Sequence, residues 1–577
     1  MDNIPDRHLH GDISIVLGAE AGRGVQSMEY VLTHVLKHAG YHVFGTKEYM
    51  SRVRGGSNST EIRVSSSRVA AFVERIDILI PLDAAAIDHL GHRIAPDTII
   101  LGDAEKLGTS HPIVDVPFTK LATEIGNAIY ANTIAVGTIL GLLKVSPEVL
   151  DGYLVKFFAK KDPETIRKNI AAGRKGYAIG SALGGAGRID IDIPAHPEVQ
   201  NEMFLGGAEA VALGATAGGC NFIGAYPMSP STGVLTYLSQ HARQFGIIAE
   251  QVEDEISGIN MGIGAWYAGA RALVSTAGGG FSLMTEGLSL AGITESPLVI
   301  HIAQRPGPAT GLPTRTEQGD LHLALYAGHG EFPRAIFAPG TLADAYQLTR
   351  QAFDLADKTQ CPIFILTDQF LIDSYYNTPD LGNTMTGVVK HFVKTGKDYR
   401  RYALTSDGIS PRGIPGFGEG LVVLDSDEHD EEGHITESMI VRTQMMDKRL
   451  SKLELLKAES IPPELIGNED YEILVIAWGS NYHVMREALQ VTHRDDVACL
   501  YFKQVYPLHH STTGYLEKAK RIVVVENNAT GQFADVIQLQ TGITVNEEIL
   551  KYDGMPFSVE ELTAQISELS TGGDQNG

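Results

Sequence analysis

The opening strongly patterned stretch is DISIVL (12–17), a short apolar run. It leads through the glycine-rich GAEAGRG (18–24) into a segment with Val25, Met28, Val31, Leu32, Val35 and Leu36 at i, i+3, i+4 spacing. The run reads as a buried strand and the spacing as an amphipathic helix. Gly40 ends the helix and a second strand begins at Tyr41, which makes a βα unit of the doubly wound type. Short apolar strands follow at 76–82 and 98–101, and a helix-rich stretch covers 125–182. GGAGRIDIDIPAHPEVQN (184–201), with its glycines and prolines, reads as a connecting segment.

A second βα series begins near residue 205. Helical AEAVALGATAG passes to strand CNFIGA and the turn YPMSPST (226–232). A helix is predicted over 233–244 and another from about Asp254. Strand ALVSTA (272–277) leads to a glycine turn, GGGFS, and strand LVIHIA (298–303) to the long loop QRPGPATGLPTRTEQGD (304–320). PIFILTD (362–368) closes the series, and 376–467 reads as irregular. A third α/β series contains EILVIAWG (472–479) and RIVVVEN (521–527) and ends in a polar tail. The expectation is an α/β chain with several doubly wound domains: 1–190, a linker at 191–204, 205–375, an irregular connection at 376–470, and 471–577.

Composition fits this picture. The chain has 577 residues, 43% hydrophobic and 20% charged, which is ordinary for a globular protein of several domains. The net charge of −24 is uneven. Residues 1–195 hold 21 Lys and Arg against 22 Asp and Glu, and the remainder 25 against 48. Such an acidic chain is a poor partner for nucleic acid or an anionic membrane. The three cysteines, Cys220, Cys361 and Cys499, lie more than a hundred residues apart. They offer neither a disulfide framework nor a zinc ribbon, and three thiolates fall short of the four a [4Fe–4S] cluster needs. MDNIPDRHLH lacks an apolar signal core, and no apolar stretch reaches the ~18 residues that span a bilayer. A cytoplasmic protein is expected.

Several strings could carry chemistry. In GAEAGRG, backbone N–H groups around Gly22, Arg23 and Gly24 at a helix start suit an anion, although a glycine turn also simply lets strand and helix approach. The string is neither a dinucleotide fingerprint nor a P-loop. Lys47, Arg52 and Arg54 cluster before Gly55–Gly56, which suits a carboxylate or phosphate, or else a solvated loop. Two prolines stiffen YPMSPST, presenting the hydroxyls of Ser229, Ser231 and Thr232, or a helix cap. VEDEISGINMGIGAWYAGA (252–270) places carboxylates before a small, apolar helix. A glutamate there either complements the helix dipole or is desolvated, with a raised pKa that lets it share a proton with a pyrimidine nitrogen. Arg305 follows a strand, where ligands of open α/β sheets bind, and its fork suits a carboxylate; a salt-bridged loop arginine is the alternative. EHDEEGH (428–434), with His429 and His434, reads as a solvated acidic loop, because no third ligand is spaced for a tetrahedral metal site.

GAEAGRG, SRVRGGSNS, YPMSPST, VEDEISGINMGIGA, STAGGGFSLMTEG and QRPGPATGLPT occur together in one order. In that combination the chain resembles the fused γ–α chain of the 2-oxoacid:ferredoxin oxidoreductases, over nearly its whole length, and most of all the 2-oxoglutarate members. The resemblance implies an N-terminal γ domain, a pyrimidine-type thiamine-diphosphate domain and a C-terminal transketolase-C-like domain. It implies thiamine diphosphate, coenzyme A, an iron–sulfur cluster and a ferredoxin acceptor. The reaction implied is oxidative decarboxylation of a 2-oxoacid to an acyl-CoA, or its reverse. Glu255 matches the glutamate that faces the aminopyrimidine, beside Tyr226 and Pro227 at the cofactor. Ser229 stands where the family usually has threonine and keeps the hydroxyl. Arg305 and Thr314 match substrate-carboxylate positions, and Lys47 a γ-domain lysine able to reach a distal carboxylate. Gly22, Arg23, Gly24, Arg52 and Arg54 form a possible coenzyme A or anion loop.

The family's partner chain holds the diphosphate through Mg²⁺ with a GDG motif, which is absent here. A β subunit is therefore expected to carry the diphosphate site, Mg²⁺ and the [4Fe–4S] cluster, in an (αβ)₂ heterotetramer, and no metal is assigned to this chain. The expected activity is conversion of 2-oxoglutarate and coenzyme A to succinyl-CoA, CO₂ and reduced ferredoxin. The alternatives are pyruvate or a branched 2-oxoacid and, in another class, a non-catalytic scaffold subunit.

Overall fold

The computed structural model describes residues 7–50, 56–382 and 387–570. It has two compact units: Met1–Leu205 with Ser374–Asp380, and Gly206–Asp373 with Leu381–Gly577.

In the first unit, an eight-stranded mixed sheet runs in the order Ile113–Asp115, Ile99–Gly102, Ile78–Pro81, Asp12–Glu20, Ser57–Ser65, His42–Glu48, Tyr375–Thr378 and Met203–Gly206. The strand at Asp12–Glu20 runs through Gly18, so only residues 21–24 of the glycine string form the turn into the helix Val25–His38. Sequence patterning missed the strand Ser57–Ser65 because most of its buried positions are polar, Glu61 and Arg63 among them. Arg63 donates to Asp12 at 2.7 Å, and Glu61 accepts two bonds from Arg93 at 2.6 and 2.9 Å. Within the stretch read as a connection, Ile189–Asp192 pairs in parallel with Arg7–His10. Its alternate residues Ile189 and Ile191, with Ile193 just beyond, join the core, a period-2 signal obscured by flanking glycine and proline.

Two helices of this unit, Ala131–Leu142 and Pro163–Gly185, pack backbone to backbone. A methyl group at Gly176 would collide with the Ile134 carbonyl, and one at Gly180 with the Thr138 carbonyl. Glycine is needed at these two positions for close approach.

The second unit carries two sheets. The larger runs Ile248–Gln251, Phe222–Ala225, Ala272–Thr276, Leu298–Gln304, Pro362–Asp368, Ala335–Phe337 and Gln504–Tyr506, parallel except for the last strand. The smaller runs Glu464–Gly467, Val497–Phe502, Ile473–Trp478, Arg521–Glu526 and Glu547–Leu550. Both sheets have the α/β, doubly wound character the sequence led us to expect. The region read as irregular contains a twenty-residue helix, Met439–Ala458. Its buried face is Met445, Lys448, Arg449, Lys452 and Leu456, a helical repeat that is largely cationic and so invisible to a hydrophobic pattern. Lys448 and Lys452 reach Glu295 at 2.7 and 2.5 Å. Burial alone would raise the Glu295 pKa, but Lys452, Lys448 and Arg401 together hold its carboxyl well below the usual range.

Gly180→Ala should destabilise the chain by about 1–3 kcal/mol through overpacking. Gly152→Ala, in the helix Pro147–Phe157 with open space around it, should leave stability unchanged or raise it by up to about 1 kcal/mol. Denaturant titration of the two variants checks the contrast. Equal effects would mean the packing of Ala131–Leu142 on Pro163–Gly185 is not limited by glycine.

Candidate active site

In the larger sheet of the second unit, the chain passes outward from Phe222–Ala225 to Ile248–Gln251 and then crosses back to Ala272–Thr276. That reversal is a topological switch point, and ligands bind beyond the carboxyl ends of strands at such points. Around it lie the 226–231 loop, the short helix Gly278–Phe281, the 305–320 loop and the start of the helix Glu255–Tyr267.

Asp254 caps that helix, accepting from the Ser257 N–H at 2.8 Å, and so sets Glu255 as its first residue. Glu255 is only 3% exposed, and its Oε1 is buried with no hydrogen-bond partner. Burial raises its pKa and the Asp254 charge adds to the rise, against a backbone hydrogen bond that lowers it. Room for the carboxyl comes from Gly280, where a methyl group would overlap Glu255 Oε1 and Thr276 Oγ1. The GGG string is therefore a helical turn whose missing side chains make space.

Gly278, two residues earlier, does the same for Asp320, whose carboxyl occupies the space a methyl group would need. Asp320 Oδ2 is buried without a partner. Burial, with Glu317 adding, pushes the Asp320 carboxyl up to about 7 against the opposing field of Arg305. Arg305 donates Nη1 to the Ser229 carbonyl at 2.7 Å, tying the two loops together. Ser231 donates to the Met228 carbonyl at 2.7 Å, which stiffens the turn it ends. Tyr226 is 40% exposed and Thr314 is buried; Pro227 and Ser229 lie half-buried in the same loop as Tyr226.

The far end of the 305–320 loop is bolted to the smaller sheet. Gln318 is fully buried. It donates Nε2 to the Trp478 carbonyl at 3.0 Å and accepts at Oε1 from Asn481 and from the Asn527 N–H. Its own N–H reaches the Asn527 carbonyl at 2.6 Å, and Asn528 donates to its carbonyl. Asp368, at the end of its strand, bonds Ser480. Neither Gln318 nor Asp320 was singled out from the sequence. The useful signal was the pairing of one loop rich in Gly and Pro with polar residues at its far end.

In the first unit, Gly22, Arg23, Gly24 and Lys47 line one cavity of about 240 Å³, with Ser27, Asn58 and others. Gly22 and Gly24 have φ +90° and +82°, the left-handed region that glycine adopts freely. Lys47 lies 3.3 Å from Glu29 and 5.1 Å from the centre of the Tyr375 ring. It sits in the strand His42–Glu48 rather than in a loop. Arg23 is flanked by Glu20 at 3.9 Å and Asp83 at 4.0 Å, which reduces its pull on an anion. Arg52 and Arg54 lie outside the described residues.

The 428–434 string differs from the solvated loop expected. His429 is fully buried, 3.8 Å from the Tyr402 ring centre, and its Nδ1–H donates to the Asp427 carbonyl at 2.9 Å. Glu428 pairs with Arg449 at 2.7 Å and with Arg442 at 2.5 Å. The cationic helix face supplies the counter-charges for Glu428, while Asp427, Glu432 and His434 stay exposed as expected. Among the described residues no group of three His, Cys, Asp or Glu is placed to hold a metal.

Two family models match: residues 14–179 match pyruvate ferredoxin/flavodoxin oxidoreductase, and 213–448 its thiamine-diphosphate-binding part. A 2-oxoacid:ferredoxin oxidoreductase α subunit from Sulfolobus sp is 30% identical, with 98% of each chain covered. The chain belongs to the 2-oxoacid:ferredoxin oxidoreductase family. The 2-oxoglutarate oxidoreductase subunit KorA of Mycobacterium tuberculosis is 29% identical over 84% of this chain and 73% of its own length. A solved structure of 2-oxoglutarate:ferredoxin oxidoreductase from Magnetococcus marinus, with 2-oxoglutarate, coenzyme A and succinyl-CoA bound, aligns with a TM-score of 0.90 at 29% identity. It covers 97% of this chain and 99% of that one. The switch-point region of this oxidoreductase subunit thus lies in a thiamine-diphosphate-binding domain. Its residues fit that cofactor: a buried carboxyl oxygen without a partner, in a space cleared by glycine, is what a protonated ring nitrogen would satisfy.

Gly280→Ala should displace the Glu255 carboxyl while leaving the sheet intact. The expected loss in kcat of the assembled enzyme is about 10²–10⁴-fold, as for loss of a general acid–base group. The double variant with Glu255→Gln should be little worse than either single one. Additive losses in steady-state kinetics would show that Gly280 acts elsewhere.

Proposed function

We propose that this chain is the α subunit of an enzyme that converts 2-oxoglutarate and coenzyme A to succinyl-CoA and CO₂, passing two electrons to ferredoxin, and that can run in reverse. The observation that carries the chemistry is the buried, unpartnered Glu255 Oε1 beside Gly280 at the switch point. Glu255 would share a proton with the aminopyrimidine ring nitrogen, and its pKa, raised by burial, suits it to carry that proton. When bound, thiamine diphosphate supplies the nucleophilic carbon for the ketone and the sink for the charge released with CO₂. Tyr226 and Pro227, on the stiffened loop, would help to hold it. Arg305 uses one donor on Ser229 and keeps others for the substrate carboxylate next to the ketone, with Ser229 and Thr314 beside it. The unpartnered carboxyls and the desolvated Arg305 belong to a catalytic cleft rather than to a scaffold.

Lys47 is assigned to the distal carboxylate. The 2-oxoglutarate names of the relatives from M. tuberculosis and M. marinus support that substrate. One observation favours pyruvate instead: Lys47 already has Glu29 as a counter-ion. The cavity with Gly22, Arg23 and Gly24 is the proposed coenzyme A or anion site, supported by its glycine backbone and helix start. A β subunit completes the site with the diphosphate contacts, Mg²⁺ and the [4Fe–4S] cluster, in an (αβ)₂ assembly. The α-subunit names of the relatives support a second chain.

The test compares kcat/KM for 2-oxoglutarate and pyruvate in the assembled complex. Lys47→Ala should cost 2-oxoglutarate roughly 10–150-fold, the equivalent of about 1.5–3 kcal/mol for a charge-assisted contact, and pyruvate little. Arg305→Ala should impair both substrates. Equal losses for Lys47→Ala would pass the assignment to pyruvate. Turnover by the isolated chain would refute the two-chain site.

A further inference from the structure

Asp320 is a carboxyl that the functions assigned above do not use. It sits at the end of the 305–320 loop, at the start of the helix Leu321–Tyr326, but its side chain does not cap that helix. It lies instead over Gly278, at the carboxyl end of the strand Ala272–Thr276. The Asp320 N–H is held by Gln304 Oε1 at 2.9 Å, next to Arg305, so both ends of the loop are pinned at one place. Gln318, two residues before it, is locked into the smaller sheet, so Asp320 has little freedom to swing out to water.

We propose that Asp320 is a substrate-linked proton acceptor of the active site, taking up one proton from solvent when the carboxylate of a 2-oxoacid settles on Arg305. The inference rests on Arg305 as the carboxylate site. Arg305 acts on Asp320 through its field, without a direct ion pair. An anion placed on Arg305 cancels that stabilising field and adds its own repulsion, and both effects favour the neutral acid.

The surrounding charges set the direction. From its own loop Glu317 repels the ionised form, and from the strand end Arg305 favours it. Glu255, on the helix Glu255–Tyr267, lies on the other side of the same glycine turn. His322, on the next helix, is turned to Asp535 at 3.5 Å. The unliganded carboxyl is pushed up to about 7, so it is largely ionised above that pH. Substrate binding must then bring a proton with it, and affinity is full below about pH 7 and falls above it.

The experiment measures KM and kcat for 2-oxoglutarate and pyruvate between pH 6 and 9, using the assembled enzyme. In the wild type, KM should rise by up to about tenfold per pH unit above neutrality, the slope for one linked proton, while kcat changes less. Asp320→Asn should flatten the KM profile, and Asp320→Glu, which keeps a titrating group, should restore the slope. A flat wild-type profile overturns the proposal without any variant. A slope that survives in Asp320→Asn overturns it too. If Arg305→Ala leaves KM unchanged at every pH, the carboxylate assignment itself fails and the inference falls with it. A raised KM in Arg305→Ala together with an unaltered slope in Asp320→Asn rejects Asp320 alone.

Discussion

The candidate active site depends on keeping carboxyl groups away from water without giving them a full set of partners. An unsatisfied buried carboxyl is costly, and a fold keeps one only where a ligand or proton completes it. Here the helical turn Gly278–Phe281 supplies the space. Gly278 and Gly280 lie on one turn and leave room for Asp320 and Glu255 respectively. A single short backbone segment therefore positions two ionisable groups, and any side chain at either glycine would push one of them out.

The rest of the second unit holds that arrangement rigid. The 305–320 loop is long and rich in Gly and Pro, yet Thr316 and Gln318 near its far end are buried. Gln318 uses its side-chain amide and both backbone groups on the smaller sheet. The carboxyl edge of that sheet, a place where an open α/β sheet often binds a ligand, is filled by this loop instead. Charges are also buried further from the site. Glu295 with Lys448, Lys452 and Arg401 joins the helix Met439–Ala458 to the layer behind the larger sheet. Removing one partner of such a group typically costs about 3–5 kcal/mol, so these contacts constrain the fold even where their net contribution is small.

The first unit follows a different logic. Beside the Arg63–Asp12 pair and the buried Glu61–Arg93 pair it has a large apolar core, and its helices Ala131–Leu142 and Pro163–Gly185 gain contact by dispensing with side chains at Gly176 and Gly180. Its strand Tyr375–Thr378 comes from far along the chain and brings Tyr375 over Lys47. The lysine proposed for the distal carboxylate is thus paired with the buried Glu29, whose carboxyl burial pushes up against the pull of Lys47.

The sequence by itself determined the elements whose pattern is apolar. The helix Val25–His38 and the strands Leu298–Gln304, Pro362–Asp368 and Ile473–Trp478 are legible because burial demands period or continuity in hydrophobic residues. It also marked Glu255, Arg305, Lys47 and the glycine strings, because the motifs recur in one order, and that order led to the family. Tertiary structure alone decided what happens where buried positions are polar. The strand Ser57–Ser65 and the helix Met439–Ala458 bury charges whose partners lie tens to hundreds of residues away, so no local pattern announces them. The same holds for the site: the clearance at Gly280 for Glu255, the pinning of Gln318 and the placement of Asp320 over Gly278 are contacts between distant segments. A linear sequence states which groups exist; only packing decides which are deprived of water, and that sets their chemistry.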